Sequence, residues 1–456
     1  MGMSAQLHAA RLMLRRGRGI GDLLPILAFA ASTGVLAMVL GGLGAFMTRA
    51  AAVGDGGGSA AGASGGDDML AFLMICALIA TALLVPSAMS LGASAARLSL
   101  SRRERQLAAV RLVGGTRGQV GLVAVLDVLV QALIGSVIGL GLHVAVIPLL
   151  MRLDFAIAPF RFGELLLPWW GYPALLAGAA LMAVASGAFG LIGVSISPLG
   201  VARQSRTVRM SILRMVVWVV LLVAFIVASK LLSYIPGLDA AVGIAIMLTL
   251  MALVVWSVNL VGPFLVWVVA RMTAAIAPTP ALLVGARRLA ADPRAGWRAV
   301  SGIAFGLIIA GMLTLISSLS IDSGDEAGRA MGHALATGGY LTLAITSVLA
   351  AVSTGVTQTA RLLEQGEVLR AQHVAGATVA QLHRARFAEI GIPLSLAGIV
   401  AAISALVLIL PVMSGVGDPL IGLALYITAA AAALGLVAAS VAVSGPLVGR
   451  LARTQG

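Results

Sequence analysis

Apolar residues in this chain gather into long runs separated by short polar stretches. Runs cover residues 23–46, 69–93 and 121–150, and a fourth starts at Trp169, Trp170 and Tyr172 and ends near Ser197-Pro198. Six more cover residues 213–233, 240–268, 299–321, 340–360, 388–411 and 419–445. Each is long enough to cross a hydrocarbon core of about 30 Å as a helix. The pattern predicts an all-α integral membrane protein of ten transmembrane helices. The first run is too long for the apolar core of a secretory signal, so it reads as a retained span. Trp169, Trp170 and Tyr172 mark the headgroup level at the start of the fourth.

Composition agrees with the pattern. Of 456 residues 60% are hydrophobic and 10% charged, and the mean hydropathy is +1.07. A net charge of +13 would suggest a nucleic-acid partner in a soluble chain, but here its placement follows the membrane. With ten spans and both termini inside, 25 of the 30 basic residues fall in the inside segments, as the preference of basic loops for the cytoplasm requires. The expected location is therefore the cell membrane, multi-pass, with both termini cytoplasmic and lipids as neighbours.

One basic segment stands out, Ser99 to Gln119, between the second and third runs. A weaker copy lies 262 positions later, where Leu107, Ala109, Gly114, Thr116 and Gln119 meet Leu369, Ala371, Gly376, Thr378 and Gln381 without a gap. Repetition at a fixed offset indicates a duplicated unit. It divides the chain into a four-helix unit over residues 1–200, a two-helix linker over 201–280 and a second four-helix unit over 281–456. In each copy a Gly break precedes a Thr-x-x-Gln capping box that starts the next helix. In the first copy Ser101-x-x-Glu104 predicts the start of a short helix, with Leu107 and Val110 on one side and Arg102, Arg103 and Arg105 at its beginning. The expected product is a short surface helix, a Gly turn and a membrane helix, with an apolar ridge that needs a partner.

Little else in the sequence offers chemistry. The single lysine, Lys230, does not end a Gly-rich turn, so no phosphate-cradling loop is present and ATP cannot be bound that way. Cys76 is alone, and no His, Cys or acid clustering suggests a metal centre or catalytic residues. Asp127 and Glu389 match under the 262-residue offset. They read either as a paired switch sensing the surface helices or as helix-start carboxylates facing arginines of neighbouring loops. His143 and Asn259 read as interhelical hydrogen-bonding groups, and Gly135-x3-Gly139 as a close helix contact.

The segment Arg102-Arg-Glu-Arg-Gln-Leu-Ala-Ala-Val-Arg-Leu-Val-Gly-Gly-Thr-Arg-Gly-Gln-Val120 resembles the signature loop of FtsX-like permeases, the membrane subunits of MacB-type (type VII) ABC transporters. Two four-span units joined by two spans are similar to the ten-span BceB-like arrangement. The resemblance implies that the two surface helices dock a cytoplasmic ABC ATPase, as a dimer on one permease chain. The docking residues would be Arg102, Arg103, Glu104, Leu107, Val110, Arg111, Gly114, Gly115 and Thr116, with Leu369, Gln372, His373, Gly376 and Thr378 in the second copy. It further implies no cofactor in this chain, with ATP and magnesium in the partner, and a permease rather than an enzyme. Export or extraction of an amphipathic, lipidic or peptide compound is the expected activity. The alternative is a non-transporting transducer controlling an extracytoplasmic hydrolase or a sensor kinase, with room for an accessory membrane or extracellular protein. Two features depart from such permeases. The outer loops at 48–68 and 322–338 have no room for a large outer domain. The second copy has Gly366, Glu367 and Val368 where the first has Glu104, Arg105 and Gln106, so the two docking sites are expected to be unequal.

Overall fold

A computed structural model describes residues 20–55, 64–112, 117–195, 212–232, 235, 240–321, 326–409 and 419–443. These residues are helical apart from short connections, with no strand among them. The first unit consists of α1 (Ile20–Asp55), α2 (Ser64–Leu112), α3 (Arg117–Leu150), the single turn α4 (Phe162–Leu165) and α5 (Gly171–Ser195). Then come α6 (Leu213–Leu231), α7 (Ala240–Ile276) and α8 (Pro280–Ala291). The second unit is α9 (Pro293–Ile321), α10 (Glu326–Glu364), α11 (Gly366–Val374), α12 (Val379–Ile409) and α13 (Pro419–Val443). Among the described residues, eight helices are long and apolar enough to cross a membrane, and α5 and α13 contain shorter apolar stretches, Gly171–Ser186 and Tyr426–Ala442.

The packing repeats. In the first unit α1 lies against α2 and α3, and α5 against α2 and α3; in the second α9 lies against α10 and α12, and α13 against α10 and α12. The starts of α2 and α10, like those of α3 and α12, are 262 residues apart. The two units meet where α10 packs on α1 and α2. Leu70 near the start of α2 and Ala334 near the start of α10 share one cluster with Phe46. Leu84, Leu91 and Ala96 further along α2 share another with Ile345, Leu349 and Val356 of α10. The two helices therefore run in the same direction, and both hand over to the next helix at the same end of the bundle.

Small residues bring the helices together. A side chain at Gly135 would fall 2.6 Å from Ile26 O, and one at Gly139 would run into Ala30 O. The Gly135-x3-Gly139 notch thus lets the α3 backbone seat directly on α1, a packing force that needs no water. In the second half, Gly262 of α7 leaves room for the Trp297 ring of α9. That ring is fully buried, and its Nε1 donates to Asn259 Oδ1 at 3.1 Å.

Three expectations change. The second span and the first surface helix form one continuous helix, α2, of 49 residues. At about 1.5 Å per residue it is ~74 Å long, more than twice the hydrocarbon core. Ser101-x-x-Glu104 therefore starts no helix. Residues 93–112 hold no Gly or Pro and are rich in Ala, Leu and Arg, so the helix already under way continues. The polar stretch between the runs at 240–268 and 299–321 is not a loop but the end of α7, all of α8 and the start of α9. Thr279 Oγ1 accepts the amide of Leu282 and Pro280 takes the first turn. Asp292 Oδ1 accepts the amide of Ala295 at 3.2 Å before Pro293 opens α9, so each start pairs a capping side chain with a proline. The two loops expected outside are also shorter than expected, because α1 runs to Asp55, α2 begins at Ser64 and α10 begins at Glu326.

The segment between α3 and α5 is held by side chains. Arg49 on α1 makes an ion pair with Glu164 at 2.6 Å and donates to Pro159 O at 2.8 Å. Its guanidinium lies 4.2 Å from the centre of the Phe160 ring, which packs edge-on with Phe46 and Phe155. Trp169, 86% exposed, and Trp170 follow on the surface.

Candidate functional site

At the end of the bundle where α2 and α10 finish, the second copy of the basic segment is described side chain by side chain. One residue interrupts the helix there, Gln365, with φ −94° and ψ 12°. Bonds on both sides survive, Gln365 N to Arg361 O and Leu369 N to Gln365 O, both at 2.9 Å. The position after the interruption is Gly366, a weak helix former, where the first copy has Glu104.

Helix α11 then closes in a fully hydrogen-bonded turn. The amide of Ala377 donates to Gln372 O at 2.9 Å and that of Gly376 to His373 O at 3.0 Å. This is the double bond of a Schellman motif, which needs its linking residue in the left-handed region. Gly376 supplies it, with φ +100°. The next two residues lead into the expected capping box. Thr378 N donates to Gln381 Oε1 at 2.9 Å, and Gln381 N donates to Thr378 Oγ1 at 3.2 Å. Underneath, Leu369 is buried with Leu362 of α10 and Leu382 of α12. Two short-range hydrogen-bond motifs and one leucine trio therefore fix α11 to α12 as an elbow.

The side chains of α11 divide in a way the sequence left open. Leu369 is only 4% exposed. Gln372 Oε1 accepts from Arg288 Nη2 of α8 at 3.0 Å, and His373 Nδ1 lies 2.8 Å from Ala377 O. The surface that α11 presents instead carries Val368, 51% exposed, Val374, 80% exposed, and the exposed Glu367, Arg370, Ala371 and Ala375. Gly376 and Thr378 are also exposed. Val368 and Val374 were not singled out from the sequence, because a nine-residue helix with Leu369 among its apolar positions does not reveal which side is covered.

For the first copy, Arg102, Arg103, Glu104, Leu107, Val110 and Arg111 lie on the last turns of α2. Their side chains lie outside the described residues, as do Gly114, Gly115 and Thr116 altogether. The Thr116 capping box therefore has no counterpart in the description.

The matched carboxylates have different surroundings. Glu389 Oε1 pairs with Arg361 Nη1 at 3.3 Å, with both side chains partly exposed, which is the arginine-facing arrangement. Asp127 is buried and accepts from Gln131 Nε2, one turn on, at 2.8 Å. Asn259 bridges α7 and α9 through Trp297, as expected of an interhelical residue. His143 does not do so. It is buried against Tyr172, the ring centres 6.4 Å apart, and neither ring nitrogen has a hydrogen-bond partner among the described residues. Among the described residues no group of three His, Cys, Asp or Glu side chains is arranged to hold a metal.

Residues 75–199 match the sequence model of the FtsX-like permease C-terminal family. The match takes in most of α2 and all of α3, α4 and α5. No curated protein matches the chain. The matched segment holds the basic end of α2 and the helices whose packing recurs around α10, α12 and α13, so over residues 75–199 this multi-pass membrane protein is similar to the C-terminal domain of FtsX-like permeases.

Proposed function

We propose that the chain is the membrane subunit of an ABC-type transporter, and that a separate cytoplasmic ATPase grips it at two places, the basic end of α2 (residues 101–112) and α11. In this reading α5 and α13 complete a ten-span bundle with both termini inside. ATP and magnesium belong to the ATPase, and the cargo is an amphipathic, lipidic or peptide compound moved out of, or extracted from, the membrane.

The observation that carries the reading is the elbow. A force applied to α11 reaches α12 through Gly376, the Thr378 capping box and the Leu362, Leu369 and Leu382 contact rather than through a slack loop. The docking ridge on this side is Val368 and Val374, flanked by Glu367 and Arg370, while Leu369 holds the elbow from within. Apolar anchors ringed by charge suit a partner groove that excludes water.

Copurification with the ATPase tests this. Val374→Asp and Val368→Asp are expected to release the ATPase while the permease stays monodisperse, because an unpaired carboxylate would be buried in the contact. Leu369→Asp is expected to destabilise the permease itself. An ATPase complex that survives Val374→Asp, Val368→Asp and the first-copy changes Leu107→Asp and Val110→Asp together would overturn the docking assignment. Vesicle flux supplies the second arm: ATP consumption without movement of any amphipathic probe would replace transport by transduction.

A further inference from the structure

Between α8, α10 and α12 lies a shallow cleft open to solvent. Its polar wall is formed by Arg288, Arg361, Arg386, Gln358 and Glu389, and its apolar floor by the leucine trio of the elbow. Three guanidinium groups thus face one carboxylate among the described lining residues. The carboxylate pairs with Arg361 at 3.3 Å and its charge also acts on Arg386, so one negative charge is shared among the arginines. The described hydrogen bond of Arg288 goes to a neutral amide oxygen, that of Gln372.

The backbone explains why the arginines converge. Gly285 on α8 sits so close to α12 that any side chain there would run into Ala385 O. That crossing brings Arg288, one turn later on α8, beside the stretch of α12 that carries Arg386. Arginine withdrawn from water is stabilised when an anion accepts its planar donors, and phosphate does so with two oxygens at once. The location selects the source of that phosphate. The cleft opens where α12 begins its apolar course, and its outer wall is a short helix with Ala281, Gly285, Ala286 and Leu289 turned to the protein. In the proposed ten-span arrangement such a place falls at headgroup level, and a basic pocket between membrane helices is where anionic headgroups bind.

We infer that the cleft bounded by Arg288, Arg361 and Glu389 is a binding site for the phosphate headgroup of an anionic phospholipid. A bound headgroup would touch α8, α10 and α12 together and lie directly against the floor of the elbow. The site is independent of ATPase docking, since its arginines face the cleft and the docking ridge is on the exposed side of α11.

Native mass spectrometry of the purified full chain in detergent, titrated with phosphatidylglycerol or phosphatidylcholine, tests the inference without any partner protein. The wild type is expected to retain phosphatidylglycerol in preference. Arg288→Ala and Arg361→Ala are each expected to lower that preference roughly fivefold, from the usual contribution of one basic residue at a lipid surface. Arg288→Lys, which keeps the charge and loses the two-pronged geometry, should fall between. Arg384→Ala, which removes an exposed arginine of α12, should leave the preference unchanged. An equal loss in Arg384→Ala, or no loss in the Arg288 and Arg361 variants, would overturn the site. Displacement of phosphatidylglycerol by millimolar inorganic phosphate would assign the cleft to a free phosphate species and overturn the lipid source.

Discussion

Gly376 isolates the contribution of one backbone angle to the elbow. Its φ is +100°, and a methyl group added there would meet no atom within 4 Å. Replacement by alanine therefore introduces no collision with a neighbour, and its whole cost is that of holding an L-residue on the left-handed side, about 1–2 kcal/mol. The competing state is one in which the Ala377–Gln372 and Gly376–His373 bonds are broken and α11 is released from α12. A penalty of that size raises the population of the open state roughly five- to thirty-fold. Hydrogen exchange of peptides spanning residues 366–382 reads this population directly, because amides 376, 377, 378, 381 and 382 are all hydrogen-bonded in the closed elbow. Gly391 provides the counter-experiment. It lies within α12, and an added methyl there also meets nothing within 4 Å, so Gly391→Ala should stabilise the helix by about 0.5–1 kcal/mol. The same chemical change is thus expected to accelerate exchange at one glycine and slow it at the other. Exchange unchanged by Gly376→Ala, or shifts of the same sign at both positions, would refute the argument that the left-handed turn fixes the elbow.

Two further outcomes follow from packing. Gly139→Val is expected to abolish recovery of monodisperse protein, because the α3 backbone at this position abuts Ala30 and Gly34, whereas Gly141→Val, with open space around it, should purify normally; size-exclusion profiles in detergent decide. Asn259→Leu strands the indole N–H of Trp297, whose ring is fully buried, and should lower stability by roughly 1–3 kcal/mol, read as a lower thermal midpoint by tryptophan fluorescence.

What the sequence revealed was chiefly local chemistry. The Thr378-x-x-Gln381 box, the helix break at Gly376 and the Gly135-x3-Gly139 contact are each decided by a few neighbouring residues, and each is found as read. Helix α8 is not among the ten apolar runs, although Thr279-Pro280 and Asp292-Pro293 mark two helix starts, because at 12 residues with two arginines it is too short and too polar to stand out as a span. The continuity of α2 was missed for the opposite reason. The Ser101-x-x-Glu104 pattern predicts a start, but a cap matters only where the chain has already left the helix, and nothing between residues 93 and 112 makes it leave. The orientation of Leu369 could not be read at all. Which side of a nine-residue helix is covered depends on Leu362 and Leu382, and only the path of the chain through Gln365 and Gly376 brings those three leucines together.

The two halves share a helix-packing pattern, yet their second helices end differently, and under the proposed function that difference decides how a motor would move each half. In the first half the candidate contact is the last turns of α2 itself, a rod of 49 residues, so a push at its end is delivered along the whole helix to α1 and α5. In the second half, Gln365 interrupts the rod and α11 is tied sideways to α8 by Arg288 and onward to α12 by the elbow. A push there is shared between α10, α12 and, through α8, the linker helix α7, which packs on α9 and α12. Equal displacements of two ATPase subunits would therefore produce unequal displacements in the membrane: an axial one through α2 and a lateral one through α12. Because α10 packs on both α1 and α2, the interface between the units is where those two motions must be reconciled.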